Sequence, residues 1–304
     1  MLFTVPGSAT RPQPGLTRLT RLVVLLVLVC VAQACTSTHY PLSVRSAMRG
    51  WNRPAAAFRV IGNIYFVGTN ELAIYLVTTP AGHFLLDSGL EETPPLIRAN
   101  VERLGFRFSD VKILLSTHAH ADHVAGHAGV KAITGARVLA SAPDAAVMRA
   151  GGGGPLALDM KWPPVAIDGE LGDGQSVELG GTTLVAHLTP GHTPGATTWT
   201  TTVEEGGRRL AVVFFSSATL FHEMPLVGNA EYPGIASDFE RSYAFWTSVP
   251  CDIPLGPHVG FFGLADKRDR LARGETPNPF IDPGGWKRGI AEQQANFRRR
   301  MAQH

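Results

Sequence analysis

The sequence predicts an α/β fold of four layers, an αβ/βα sandwich in which two β-sheets pack together with helices outside. Three observations lead there. At 304 residues and 44 % apolar, the chain can bury a large core, and α/β folds of this length often form one domain. Short runs rich in β-branched and aromatic residues alternate with helical stretches, so meandering strands are mixed with βα units. No period-length repeat is evident and the linkers are too short to separate domains, which places one domain at residues 45–304. A formal net charge of +2 and scattered arginines give no footprint for nucleic acid. Arg298, Arg299 and Arg300 form one basic cluster, which reads as a solvated helix end that offsets the macrodipole.

In chain order, Arg18 and Arg21 precede LVVLLVLVCVA, an apolar stretch too short to span a bilayer, and AQAC then offers the small residues that signal peptidase reads. Residues 1–34 are therefore expected to be a signal peptide and the mature protein to be periplasmic, with no transmembrane span. Cys35 is either the lipid-modified first residue of a lipoprotein, a pattern that Gln33 fits poorly, or an unmodified residue. Cys30 leaves with the signal. Cys35, beside the cleavage point, is a poor disulfide partner for Cys251, far along the fold, so stability must come from the core.

Residues 36–52 read as a loose lead-in. Strands are expected at NIYFVGT, AIYLVTTP and HFLLDSG, a helix near TPPLIRANVERLG, and a strand at VKILLST. A second series follows: ARVLASA, GTTLVAHLTPGH, the long TTWTTTVEEGGRRLAVVFFSS, a helix near DFERSYAFWTSV, and CDIPLGPH.

The stretch THAHADH follows the VKILL run directly. His118 and His120 are two apart, so in extended backbone they project to one side and can hold one ion. Asp122 and His123 fall where the chain turns helical, which swings them towards a different point, so one cluster can serve two metals. Each ion needs further ligands. TPGHTPG offers His192 and LGPHVG offers His258, both in Gly/Pro loops after apolar strands. His39, His83, His127, His187, His222 and His304 lack such a pattern and are read as structural. His127, one turn beyond His123, packs near the site in this reading.

On these residues the chain resembles the metallo-β-lactamase superfamily, whose signature is HxHxDH followed by two distant histidines. GWNRPAAAFRVIGNIYFVGTNELAIYLVTTPAGHFLLDSG, AHLTPGHTPGATTWT, GNAEYPGI and VPCDIPLGPH are similar to class B β-lactamases of the third subclass, over nearly all of residues 50–265. The resemblance implies two zinc ions, the first on His118, His120 and His192 and the second on Asp122, His123 and His258. It gives Asp87, in LLDSG, the role of a buried carboxylate supporting a ligand from behind. It further implies hydrolysis of penicillins, cephalosporins and carbapenems by a zinc-bound hydroxide, with Asp122 and the second zinc holding the leaving nitrogen. Neutral imidazoles leave a zinc its full charge, and water bound there loses its proton near pH 7. A small-molecule β-lactam is the expected partner and a monomer the expected state.

Departures from the family pattern also inform. Glyoxalase II-like relatives carry a metal-bridging aspartate where FFSSATLF places Ser217 or Ala218, depending on one gap, and neither can bridge two ions. In the lactamase group a serine and a Ser/Thr two residues on hold the substrate carboxylate, which fits Ser217 and Thr219; the alternative is two hydroxyls capping a strand end. Trp51 matches a flap aromatic over the site or is a packed surface residue. AGGGGP (150–155) is either a mobile flap or an inert loop tip, and Val259 replaces a frequent proline after His258. Relatives often pair the cysteine of PCD with a later one, but none follows Cys251, so a free, largely buried thiol is expected. A lactone or thioester hydrolase on the same fold and an envelope zinc-binding protein without turnover remain as other functions.

Overall fold

Side chains of successive strand residues point to opposite faces, and in the computed structural model this alternation divides the apolar residues among three cores. The structure describes residues 48, 50–153, 160–221 and 224–303, all within one compact unit, Tyr40–His304. The expected signal peptide, Cys30, Cys35, His39, His222, His304, most of the lead-in and part of the 150–155 loop lie outside the described residues.

The first sheet runs β1 (Phe58–Ile61), β2 (Ile64–Phe66), β3 (Tyr75–Thr79), β4 (Gly82–Leu86), β5 (Val111–Leu115), β6 (Arg137–Ser141) and β7 (Gly169–Leu171) in spatial order. It is antiparallel from β1 to β4 and parallel from β4 to β7. Its parallel half is connected by α1 (Pro94–Arg103), by α2 (Ala121–Val124) with α3 (His127–Thr134), and by α4 (Ala142–Ala150), as parallel pairing requires. The second sheet holds β8 (Ser176–Leu179), β9 (Thr182–Leu188), β10 (Thr197–Glu205), β11 (Arg208–Phe214) and β12 (Ile253–Leu255) in the order β12-β11-β10-β9-β8. Only β11 and β12 are parallel, joined through α5 (Ile235–Ser248); α6 (Leu264–Ala272) and α7 (Pro283–Met301) follow.

Leu85 and Leu114 face outward, onto Ile97 and Val101 of α1, Val130 of α3 and Met148 of α4. Their neighbours Phe84, Leu86, Ile113 and Leu115 face inward, onto Leu184, Trp199, Val212 and Phe214 of the second sheet. Val213 and Phe215 turn to the far side, onto Phe239, Tyr243 and Trp246 of α5 and Trp286, Ile290 and Phe297 of α7. Helix, sheet, sheet, helix is the four-layer sandwich that the alternating runs predict. Among the described residues no helix is long and apolar enough to cross a membrane.

The two sheets are also joined by polar bonds at the end where β5 stops. Thr197 N donates to Thr117 O at 2.8 Å, and the indole of fully buried Trp199 donates to Ser116 O at 2.9 Å. Trp199 thus fills the central core and satisfies a carbonyl that leads directly into THAHADH. Trp199→Ala is expected to destabilise the protein by about 3–5 kcal/mol through lost burial and cavity formation, with the orphaned Ser116 carbonyl adding to it. Urea unfolding followed by tryptophan fluorescence and far-UV circular dichroism measures this, and a loss under about 1 kcal/mol would contradict the assigned packing.

Cys251 belongs to the third core and is a free, buried cysteine, as expected from the lack of a later one. Burial, then the neighbouring Asp252 charge, pushes its thiol far above the ordinary range, which keeps it protonated and unreactive. Folded protein should resist alkylation at Cys251, whereas protein denatured without reductant should take up one alkyl group there by mass spectrometry. Rapid alkylation of the folded chain would contradict this.

Candidate metal centre

The backbone at the end of β5 does what the spacing of THAHADH requires. His120 has φ −96° and ψ 157°, extended, before α2 begins at Ala121, so His118 and His120 project together with ring centroids 4.8 Å apart. The first turn of α2 then redirects Asp122 and His123. His192 comes from the loop after β9 and brings its ring within 4.5 Å of His118 and 4.7 Å of His120, centroid to centroid. His258 comes from the loop after β12, and its Nε2 lies 3.3 Å from Asp122 Oδ2, as does His123 Nε2. The six residues thus form two groups, His118 with His120 and His192, and Asp122 with His123 and His258. Within each group the available ligand atoms lie within 4.8 Å of one another. His127 stands outside both; buried, it shares a 2.7 Å hydrogen bond between its Nδ1 and Ser88 Oγ.

The surroundings fix the rings. Asp87, at φ 63°, uses the left-handed region that aspartate tolerates better than most residues. Its carboxylate accepts from Thr117 N at 2.7 Å, from Thr117 Oγ1 at 2.8 Å, and from His123 Nδ1 at 3.1 Å. With Nδ1 donating backwards, His123 Nε2 faces the site, where it is buried beside Asp122 Oδ2. His192 Nδ1 donates to Thr219 O at 2.9 Å, which likewise frees Nε2. This backward bonding of an imidazole is how metal-ligating histidines are oriented.

Electrostatics suit the same end. Burial, reinforced by neighbouring imidazoles, holds His118 and His192 well below the ordinary histidine range, so both are neutral donors. Burial alone would raise Asp122, but His123 and His258 outweigh it and keep the carboxylate ionised. Burial would lower His123, yet the Asp122 and Asp87 carboxylates prevail and raise it to about 10. Five imidazoles and one carboxylate match the nitrogen and oxygen preference of zinc.

The other singled-out residues border this centre. The Trp51 ring meets His258 edge-on at 5.7 Å. Ser217 is buried and its Oγ accepts from Thr219 N at 3.2 Å, leaving the hydroxyl hydrogen free to donate. Ala218 is fully buried among the residues of the third core. Phe221, which the sequence reading passed over, lies 5.3 Å from His192 and 5.8 Å from His120. Its segment is held by Arg300, whose guanidinium donates to Phe221 O at 2.7 Å and Met224 O at 2.6 Å. The solvated-end reading therefore holds for exposed Arg298 and Arg299 but not for half-buried Arg300; no local pattern in the sequence distinguishes the three.

Residues 68–204 match the model of the metallo-β-lactamase superfamily. Among solved structures, the native FEZ-1 metallo-β-lactamase of Legionella gormanii is 41 % identical, with 83 % of this chain and 97 % of that one covered and a TM-score of 0.80. BJP-1, a subclass B3 metallo-β-lactamase of Bradyrhizobium japonicum, is 37 % identical, with 84 % and 97 % covered and a TM-score of 0.79. A hydroxyacylglutathione hydrolase of Cereibacter sphaeroides is 36 % identical over 104 residues, a match spanning 34 % of this chain and 33 % of that relative.

A metal ion at the Asp122 group must displace the proton that His123 carries in the metal-free protein up to a pH of about 10. Loading near neutral pH should therefore release a proton, and affinity should rise about tenfold per pH unit per proton released until His123 is neutral without metal. Calorimetric zinc titrations in buffers of different ionisation enthalpy measure the release. An affinity that does not change between about pH 6 and 8 would contradict the assigned charge state.

Proposed function

Because this chain belongs to the metallo-β-lactamase superfamily and resembles subclass B3 members along nearly their whole length, we propose that it is a zinc-dependent hydrolase of β-lactam rings, carbapenems included. The observation that carries this reading is the pair of candidate ligand groups, His118–His120–His192 and Asp122–His123–His258, buried except for half-buried His258 and side by side at one end of the sandwich. Neither Ser217 nor Ala218, the two candidates for the position where glyoxalase II-like enzymes have a bridging carboxylate, can bridge two ions, which favours a lactam over a thioester substrate.

When bound, zinc supplies a Lewis acid for the substrate carbonyl and brings the pKa of bound water near 7. The protein's own residues account for the rest. His118, His120 and His192 would hold one ion, and burial keeps His118 and His192 neutral so that they add no charge there. Asp122, ionised between His123 and His258, would hold the second together with those two imidazoles, and an ion there would supply the positive charge that a leaving nitrogen needs. Asp87 and the Thr219 carbonyl keep His123 and His192 from rotating. Ser217 and Thr219 offer hydroxyls to the carboxylate that β-lactams carry beside the ring, and Trp51 and Phe221 form apolar walls. No serine or cysteine nucleophile is required. We further propose export, with residues 1–34 removed, a periplasmic monomer, and Cys35 either lipidated or free; the mass of the mature N-terminal peptide decides the last point.

The mature protein should open nitrocefin and imipenem. Chelators should abolish turnover, zinc should restore it, and inhibitors that acylate a serine should have no effect. His192→Ala should cost on the order of several kcal/mol of transition-state stabilisation, read from kcat/KM. Folded, zinc-replete protein that leaves both lactams intact while opening a lactone or thioester would overturn the assignment.

A further inference from the structure

Asp144 lies in the first turn of α4, a place where an acid usually faces solvent and interacts with the helix dipole. Here it is turned inward and is 2 % exposed. Its Oδ1 accepts from Thr193 Oγ1 at 3.2 Å, and the backbone amides of Ala119 and Gly195 also donate to its carboxylate. Ala119 stands between His118 and His120, and Thr193 and Gly195 follow His192. One carboxylate therefore reaches both segments that supply the first ligand group.

The fit is close. A Cβ on Gly195 would stand 2.3 Å from Asp144 Oδ1 and 2.5 Å from Ser141 Oγ, so only glycine allows this approach. Ser141 Oγ donates to Gly195 O at 2.6 Å, fastening the same turn from the residue where β6 ends. Among the described residues no Lys, Arg or His forms an ion pair with Asp144. Burial raises its carboxyl to about 7 against the pull of the three hydrogen bonds. An inward carboxylate without a counter-charge is costly, and a cation held by the adjoining histidines would offset that cost.

We propose that Asp144 is a positioning residue for the metal group His118–His120–His192, fixing Ala119 and the Thr193–Gly195 turn against one carboxylate so that the three imidazoles converge before an ion arrives. The inference rests on those histidines binding metal, as proposed above. It assigns to α4 a part in the centre although none of the six candidate ligands lies on that helix.

Metal affinity, measured independently of turnover, tests it. Metal-free wild-type and Asp144→Asn proteins are titrated with zinc against a chromophoric chelator, and with cobalt(II) followed by its visible absorption. The asparagine keeps the shape but must turn an N–H donor towards groups that also donate. One of the two binding steps should weaken by about 10–100-fold and the other by less than about twofold, with unchanged near-UV circular dichroism. Two unchanged steps, or two steps weakened alike, would overturn the proposal. Should Asp144→Asn fail to fold, Thr193→Val, which removes only the hydroxyl bond, should weaken the same step several-fold; unchanged affinity there also overturns it. A wild-type chain that binds no metal would instead overturn the site reading beneath it.

Discussion

The burial of imidazoles around one carboxylate is the constraint on which the rest of this structure depends. His118, His120, His123 and His192 are each at most 5 % exposed, where unpaired polar groups are costly. Asp122, between His123 and His258, balances part of that cost in the metal-free chain, and a cation would balance the remainder. Such a cluster cannot sit on one element. It needs the ends of β5, β9 and β12, drawn from both sheets, to meet at one edge of the sandwich, and the bonds from Thr197 to Thr117 and from Trp199 to Ser116 hold that seam together.

Rigidity at this seam comes from backward-facing bonds rather than from the ligands themselves. Asp87 holds His123 and Thr117, the Thr219 carbonyl holds His192, and Arg300 holds the segment carrying Phe221. Each oriented ring thus has a support on a different element, so a centre built from loops acquires the stiffness of the strands and helices behind it.

His118, His120, Asp122 and His123 were legible in the sequence because their spacing follows a change of backbone period, two residues apart in extended chain and then adjacent as the helix begins, whereas His192 and His258 were marked by their Gly/Pro loops and by the family resemblance. The layering was legible for a similar reason: the strands alternate between two apolar faces, as Phe84, Leu85 and Leu86 do. What remained hidden depends on contacts between distant segments. Asp144 looks like any acid opening a helix, and Arg300 like its two neighbours. Short β7 and β8 offer three and four residues with little apolar pattern. The apolar face of α7 is sparse, Trp286, Ile290 and Phe297 among many polar residues, and only its packing on α5 and the second sheet gives that face a meaning.

Val259 shows how a departure from a familiar pattern can be neutral in its effect. A proline after His258 would restrict the loop through its fixed φ, but it would donate no hydrogen bond. Valine leaves φ freer and supplies an N–H, which donates to Glu71 O at 2.9 Å. On the other side of His258, Ala73 N donates to Pro257 O at 2.9 Å, and Tyr75 Oη donates to Gly256 O at 2.9 Å. The loop is thus tied residue by residue to the segment that enters β3, with His258 between two of the ties and the Trp51 ring against its edge. Stiffness that a proline would build into one residue is here spread over hydrogen bonds between two segments, and those segments are anchored in different sheets.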